Sequence, residues 1–142
     1  MKVSNDVMLS WIARYRWVDW TLAIEMPACY GMPVGGTVMH TCRWVGRFQD
    51  RFESKVRPSY LVYRKAQNKE DGIESVCMHL CKSTRAKDSN VRQAIIDRYP
   101  AAGGGKTPQI GTKAQPGPLY GVSKDVWAAL AVAITFAETY YK

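Results

Sequence analysis

Two acidic side chains stand where a protein could present a metal ligand or a general base. Glu25 ends an apolar run at residues 22–24 and is followed at once by a Pro- and Gly-rich segment, while Asp125 opens an alanine-rich segment with helical spacing. A buried strand with an acid at its carboxyl end is a common way for α/β enzymes to present such a group. Each acid also has a purely structural interpretation. Glu25 could end the strand and face water, and Asp125 could stabilise the start of the helix through the helix dipole.

Positive charge is in excess, because 20 Lys and Arg stand against 12 Asp and Glu, giving a formal net charge of +8. Such a balance favours a polyanionic partner, either nucleic acid or an acidic protein surface. Arg43, Arg47 and Arg51 stand four residues apart and so form a row along one side of a predicted helix. That row is either a solvated face or a phosphate-binding face.

Two local patterns resemble functional motifs but fail on their spacing. The GGGKT at residues 103–107 is not a phosphate-binding loop, because Pro100 stands where that motif needs its first glycine and a predicted helix precedes it. We therefore reject nucleotide hydrolysis. Cys77, His79 and Cys81 lack the matched second pair of a structural zinc site, so we expect core thiols there.

The composition indicates one globular domain, 1–142, with 46% hydrophobic and 23% charged residues. No apolar run reaches the length of a membrane span, and no signal-peptide pattern opens the chain. Four cysteines without a secretory signal predict reduced thiols and a cytoplasmic location.

Hydrophobic periodicity and turn residues predict an α/β protein with more helix than strand. Val126, Leu130 and Ile134 are spaced for the core face of the last helix, whose alanines would let it lie close against a sheet. Residues 101–118, rich in Gly, Pro and Lys, predict a mobile loop that orders on a ligand or partner. The predicted helices are 5–17, 37–54, 74–81, 90–99 and 123–141, and the predicted strands are 20–26 and 59–64.

Three blocks of sequence together resemble the phage-encoded branch of the RuvC-like Holliday junction resolvases, which belong to the RNase H-like superfamily. The first block, residues 22–48, reads LAIEMPACYGMPVGGTVMHTCRWVGRF. The second, residues 79–100, reads HLCKSTRAKDSNVRQAIIDRYP, and the third, residues 110–136, reads IGTKAQPGPLYGVSKDVWAALAVAITF. They cover about half the chain and follow the order of the family. The resemblance implies an RNase H-like fold and endonuclease chemistry that depends on Mg²⁺ or Mn²⁺.

The resemblance also assigns roles to three residues. Glu25 matches the acid at the end of the family's fourth strand, and Asp125 matches the acid or histidine that opens the last helix. Both would hold the divalent metal. Lys87 matches the lysine of the A-x-K stretch near the scissile phosphate. The long basic helix resembles the one through which such proteins pair as dimers on a two-fold symmetric junction.

Two departures from the family pattern predict weakened or lost cleavage. The family's opening strands, one of which carries an essential aspartate, have no counterpart here, and Ala128 stands where a second acid often opens the last helix. Binding of branched or structured DNA is then the expected activity. The alternative is a counter-defence (anti-CRISPR-like) or host-takeover inhibitor that binds an acidic protein surface or a nucleic-acid-binding cleft. The expected DNA-binding residues are Arg43, Arg47, Arg51, Arg85, Lys87, Lys106 and Lys113.

The same departures predict a truncated RNase H-like domain with an unpaired strand edge. Two strands with helices are marginal alone, and exposed strand edges invite pairing. We therefore expect a homodimer that completes a sheet or core between subunits, or else a rearranged helical packing.

Overall fold

Helices outnumber strands in this small α/β protein, as the sequence predicts. The computed structural model describes residues 2–15, 17–53 and 57–142. Each boundary lies within about three residues of its predicted position, although Arg16 and the predicted helix end at residue 54 fall outside the described residues. None of the described helices combines the length and apolarity needed to cross a membrane. The elements are α1 (Asn5–Tyr15), β1 (Leu22–Met26), α2 (Gly36–Phe52), β2 (Ser59–Tyr63), α3 (Val76–Cys81), α4 (Asp88–Ile96) and α5 (Asp125–Tyr140).

The two strands pair in parallel, with α2 as the connection between them. Leu22 lies opposite Ser59, and the register continues without interruption to Met26 opposite Tyr63. Proline and glycine in residues 27–35 prevent the first strand from continuing and allow the chain to turn into α2. Parallel strands need such a crossover, because the end of the first strand and the start of the second lie at opposite edges of the sheet.

Helices cover both faces of the strand pair. On one face the rings of Tyr60 and Phe136 lie 4.8 Å apart between centroids, which packs β2 against α5. Val62, two residues further along the same face, is fully buried. On the other face Gln49 of α2 donates from Nε2 to the Ser59 hydroxyl at 2.9 Å. Parallel sheets generally require this cover on both sides.

The main core lies between α3, α4, α5 and the α5-facing side of β2. The core thiol expected at Cys77 is confirmed, since this side chain is fully buried with its Sγ 3.7 Å from the Ala86 carbonyl oxygen, whereas Cys81 is only half-buried. Other core residues include Val76, Leu80, Val91, Ile95, Ile96, Leu119, Trp127, Ala131, Val132 and Phe136.

The expected core face of α5 is confirmed only in part, because Leu130 and Ile134 pack at the margin of the core. Val126, Leu130 and Ile134 are only half-buried, whereas Trp127 and Ala131 belong to the fully packed face. The helix is apolar on nearly every side, so its sequence pattern does not determine which side faces the core.

Residues 101–118 form a loop that folds back on itself. The Gly103 amide donates to the Pro108 carbonyl oxygen at 2.7 Å, and the Gly117 amide donates to the Ile110 carbonyl oxygen at 2.9 Å. A Cβ at Gly103 would lie 2.7 Å from backbone atoms of the facing segment, so glycine is required for this close approach. The mobility that the sequence suggests for this loop stays a prediction.

His79 is a buried polar side chain that connects α3 with α5. Its Nδ1 lies 3.0 Å from a Glu74 oxygen and its Nε2 lies 2.5 Å from a Glu138 oxygen. His79 therefore bridges two carboxylates, one just before α3 and the other on α5. The hydrogen bond with His79 is the main reason that the pKa of Glu138 lies below its ordinary value. Arg98, whose Nη1 contacts both carboxylate oxygens, lowers this pKa as well, whereas desolvation raises it.

Replacing Thr135 with valine should stabilise the fold. Thr135 is fully buried in α5, and its hydroxyl has no hydrogen-bond partner among the described residues. Valine keeps the shape and removes a buried unpaired polar group, so we expect Thr135→Val to raise the free energy of unfolding by about 1 kcal/mol in urea denaturation. Thr139→Val is the matched control, because the Thr139 hydroxyl donates at 2.6 Å to the Thr135 carbonyl and should give no gain. A loss of stability in Thr135→Val would contradict the prediction.

Glu138→Gln should reduce the acid sensitivity of the fold. Because the pKa of Glu138 is lowered from its ordinary 4.5 in the folded state, its contribution to stability is present above that value and is lost as pH falls through the folded pKa. The side chain is 44% exposed, so after screening by water we expect only about 0.5 kcal/mol at neutral pH. Urea denaturation of both proteins at pH 7 and pH 3 measures this difference, with the exposed Glu70→Gln as the control. Equal pH dependence of Glu138→Gln and the parent protein would count against it.

Candidate functional site

The carboxyl edge of the parallel strand pair gathers charged side chains. Glu25 stands near the end of β1, on the face that α5 covers, because it is in register with the buried Val62. Asp125 opens α5, which packs on that face. Both acids line one groove of about 450 Å³ along β1. The structure therefore places the two acids that the sequence singles out in the same groove, at the edge where α/β proteins commonly hold their ligands.

Asp125 is engaged by a lysine of the same chain. Its Oδ2 lies 2.8 Å from the Lys2 Nζ, and both side chains are largely exposed. The hydrogen bond with Lys2 is the main reason that the pKa of Asp125 lies below its ordinary range. Asp125 is thus an anion paired with a mobile cationic side chain at the surface.

Glu25 has the opposite electrostatic environment. Its side chain reaches solvent, yet neighbouring atoms exclude part of the water around its carboxyl group, and this desolvation raises its pKa. The Arg64 guanidinium lowers the pKa of Glu25, while the Asp88 carboxylate raises it further. Glu25 therefore holds its proton more strongly than a free glutamate does.

Asp88 is an acid of this site that the sequence analysis missed. It opens α4 and forms an ion pair with Arg64, the residue directly after β2. Asp88, Arg64 and Asp125 border one small cleft of about 150 Å³, together with Arg92 and Lys124. The sequence treats Asp88 only as a possible helix cap, but a signal was present, since this acid directly follows Lys87 within the second block.

Lys87 lies beside Asp88 at the start of α4. Its backbone amide donates to the Asn90 Oδ1 at 2.9 Å, and its side chain is exposed. Arg85 is likewise exposed, on the turn that leads to α4. The residue that the sequence compares with a phosphate-contacting lysine is therefore accessible, and it precedes Asp88 of this cleft in the chain.

The carboxylates of this edge, as they are arranged, do not form a metal centre. Within residues 2–15, 17–53 and 57–142, no group of three or more His, Cys, Asp or Glu is placed to hold a metal ion. Lys2 engages Asp125, and Arg64 engages Asp88. A divalent cation normally takes several oxygen ligands, so it would have to displace these cationic side chains. The Mg²⁺ or Mn²⁺ site at Glu25 and Asp125 stays a prediction.

The predicted arginine row is present and exposed on α2. Arg43, Arg47 and Arg51 are all solvent-exposed, and none forms an ion pair within the part of the chain that the structure describes. The guanidinium carbon of Arg47 lies 4.1 Å from the centroid of the Trp44 ring, a cation–π contact that orients this side chain. The row lies on the helix that covers the sheet face opposite Glu25. Lys106 and Lys113 are exposed too, but on loop 101–118.

No protein-family model, curated protein or solved structure matches this chain. The RuvC-like resemblance stays a prediction from the three sequence blocks.

Glu25→Gln should stabilise the protein slightly at neutral pH. Because the pKa of Glu25 is raised from 4.5 on folding, its protonated form favours the folded state, and that contribution is lost as pH rises through the folded pKa. Glutamine removes the cost of desolvating an ionised carboxylate. Because the side chain is exposed and screened by water, we expect the free energy of unfolding to rise by at most about 0.5 kcal/mol. Urea denaturation at pH 7 and pH 4 tests this, with Glu70→Gln again as the control. A variant that is less stable than the parent protein at pH 7 would refute the desolvation argument.

Proposed function

We propose that this chain is an RNase H-like protein of the RuvC type that binds branched or structured DNA, with weakened or lost Mg²⁺-dependent endonuclease activity. The arrangement of the acids supports the assignment. One acid stands near the end of a strand and the other opens the last helix, and Glu25 and Asp125 line a single groove. The three sequence blocks imply this same pair.

The observation that carries DNA binding is the exposed row of three arginines without ion pairs on α2. Paired arginines would have to give up a carboxylate before they could bind a phosphate, whereas Arg43, Arg47 and Arg51 have no such cost in the described structure. Successive members of the row are about 6 Å apart along the helix, so this side of α2 presents three positive charges in a line. The net charge of +8 adds long-range attraction.

Weak cleavage follows from the state of the acids. Asp125 and Asp88 are held by cations of the chain, so a divalent cation would have to displace Lys2 and Arg64 before these acids could bind it. We therefore separate the two activities: DNA binding belongs to the basic surface and does not require the acidic groove.

Replacing the three arginines of the row with alanine should weaken junction binding and flatten its salt dependence. Each lost phosphate contact lowers the slope of log affinity against log salt by about 0.9, so we expect a change of up to about 2.7 for the triple variant. Fluorescence anisotropy with a labelled four-way junction, between about 50 and 200 mM salt, measures this slope. Lys69→Ala is a control that removes a single positive charge away from the row, since Lys69 is exposed on the connection between β2 and α3.

The same junction tests the acidic groove. We expect Glu25→Ala to retain DNA affinity, and we expect any slow cleavage with Mg²⁺ or Mn²⁺ to disappear in this variant. Failure of the parent protein to bind the junction at low salt would overturn the proposed function. That outcome would favour the alternative from the sequence, an inhibitor that binds an acidic protein surface.

A further inference from the structure

The small cleft that Asp88 and Asp125 border contains more cationic side chains than these two acids pair with. It has a volume of about 150 Å³, and its charged lining residues are Arg64, Asp88, Arg92, Lys124 and Asp125. Asp88 is paired with Arg64, and Asp125 is paired with Lys2. Within the part of the chain that the structure describes, neither Arg92 nor Lys124 forms an ion pair. Two positive charges of this cleft are therefore left without an anion in the described structure.

Arg92 is oriented by an aromatic ring and not by a carboxylate. It follows Asp88 by one helical turn, a spacing at which the two side chains could pair, yet Asp88 contacts Arg64. The guanidinium carbon of Arg92 lies 4.9 Å from the centroid of the Trp127 ring, and Trp127 belongs to the packed core. A cation–π contact uses no hydrogen bond, so the guanidinium N–H donors of Arg92 stay available to an oxyanion.

Lys124 has a backbone conformation that disfavours lysine. Its φ of 47° and ψ of −125° match the second position of a type II′ turn, which the Val126 amide closes by donating to the Ser123 carbonyl oxygen at 3.0 Å. Glycine is the residue that adopts this conformation without strain, because it has no Cβ. The lysine therefore brings a positive charge to the cleft at a cost to the backbone, and such strain is concentrated at ligand-binding sites.

We propose that this cleft binds a phosphate dianion, either free or at the end of a nucleic-acid strand, through the Arg92 guanidinium and the Lys124 ammonium group and without a metal ion. The charges match, because a phosphate monoester carries a charge of about −1.5 to −2 at pH 7 and the cleft has two cations without partners. The size matches as well. The volume of the cleft equals that of about five water molecules, and a phosphate has five non-hydrogen atoms.

The acids of the cleft have a supporting role in this arrangement. Asp88 holds Arg64 and Asp125 holds Lys2, so neither carboxylate has to bind a metal for the phosphate to be held. The ligand of the cleft is then an anion, in contrast to the divalent cation that the three sequence blocks imply. The cleft is also separate from the arginine row on α2, so this inference does not rest on junction binding.

The first test is the thermal unfolding of the full chain in sodium phosphate, at constant ionic strength and in the presence of EDTA. A ligand that binds only the folded state raises the Tm as its concentration increases. We therefore expect phosphate to raise the Tm of the parent protein above the value in sodium chloride of the same ionic strength. EDTA removes divalent cations, so the remaining shift is due to side chains of the protein.

Two variants assign this shift to the cleft. Arg92→Gln and Lys124→Gly should each weaken phosphate binding at least about tenfold, because each removes a charge-assisted hydrogen bond. Lys124→Gly should also fold at least as stably as the parent protein, since glycine relieves the strained turn. Their matched controls are Arg14→Gln and Lys82→Gly, because Arg14 is an exposed arginine of α1 and Lys82 is an exposed lysine with a φ of 55°.

A second test distinguishes free phosphate from a strand end. One single-stranded oligonucleotide is prepared with a 5′-phosphate, with a 3′-phosphate or with hydroxyl groups at both ends, and its affinity is measured by fluorescence anisotropy. Tighter binding of a phosphorylated end that is lost in Arg92→Gln assigns the cleft to a nucleic-acid terminus. Equal binding of all three strands, together with the Tm shift in phosphate, assigns it to free phosphate.

Three results would overturn the proposal. The first is a Tm that phosphate raises no more than chloride does, with no preference for a phosphorylated end. The second is a phosphate shift that persists in both Arg92→Gln and Lys124→Gly, and the third is a shift that appears only when Mg²⁺ replaces EDTA. Failure of the parent protein to bind the junction would refute the proposed function and would leave the phosphate shift in place.

Discussion

A parallel pair of strands is stable only when helices cover both of its faces, and this requirement organises the whole chain. α2 provides one cover as the crossover itself, and α5 provides the other through contacts such as that between Tyr60 and Phe136. α3 and α4 then pack on α5 and complete the core. The same geometry brings the ends of both strands to one edge, where Glu25, Arg64 and the first residues of α4 and α5 meet.

The charges at this edge are balanced within the chain. Lys2 pairs with Asp125 and Arg64 pairs with Asp88, and Arg92 and Lys124 also line the cleft, so it presents no net negative charge to an approaching polyanion. The arginine row on α2 has no such balance among the described residues. The exposed arginine row therefore attracts phosphates, and the ion-paired acids repel them only weakly. This distribution of charge supports DNA binding more than hydrolysis.

Local signals allowed the elements to be predicted, and contacts between distant segments accounted for what was missed. Proline and glycine after Met26 determine where β1 ends, and the arginine spacing determines the exposed row, because both depend only on neighbouring residues. The orientation of α5 could not be read from its sequence, since nearly every side of that helix is apolar. The approach of Asp88 to Arg64 joins residues 24 positions apart, and the contact of Lys2 with Asp125 joins the first described residue to the start of the last helix. No short-range pattern encodes such pairings.

The way in which residues 101–118 fold back on themselves also affects how much conformational entropy this part of the chain loses on folding. Its hydrogen bonds close over a few residues, as between Gly103 and Pro108, so loop closure costs little conformational entropy. Pairing of Leu22 with Ser59 must bring together a much longer stretch. The loop can therefore close at a lower entropic cost than the strand pair, and it ends seven residues before α5 begins.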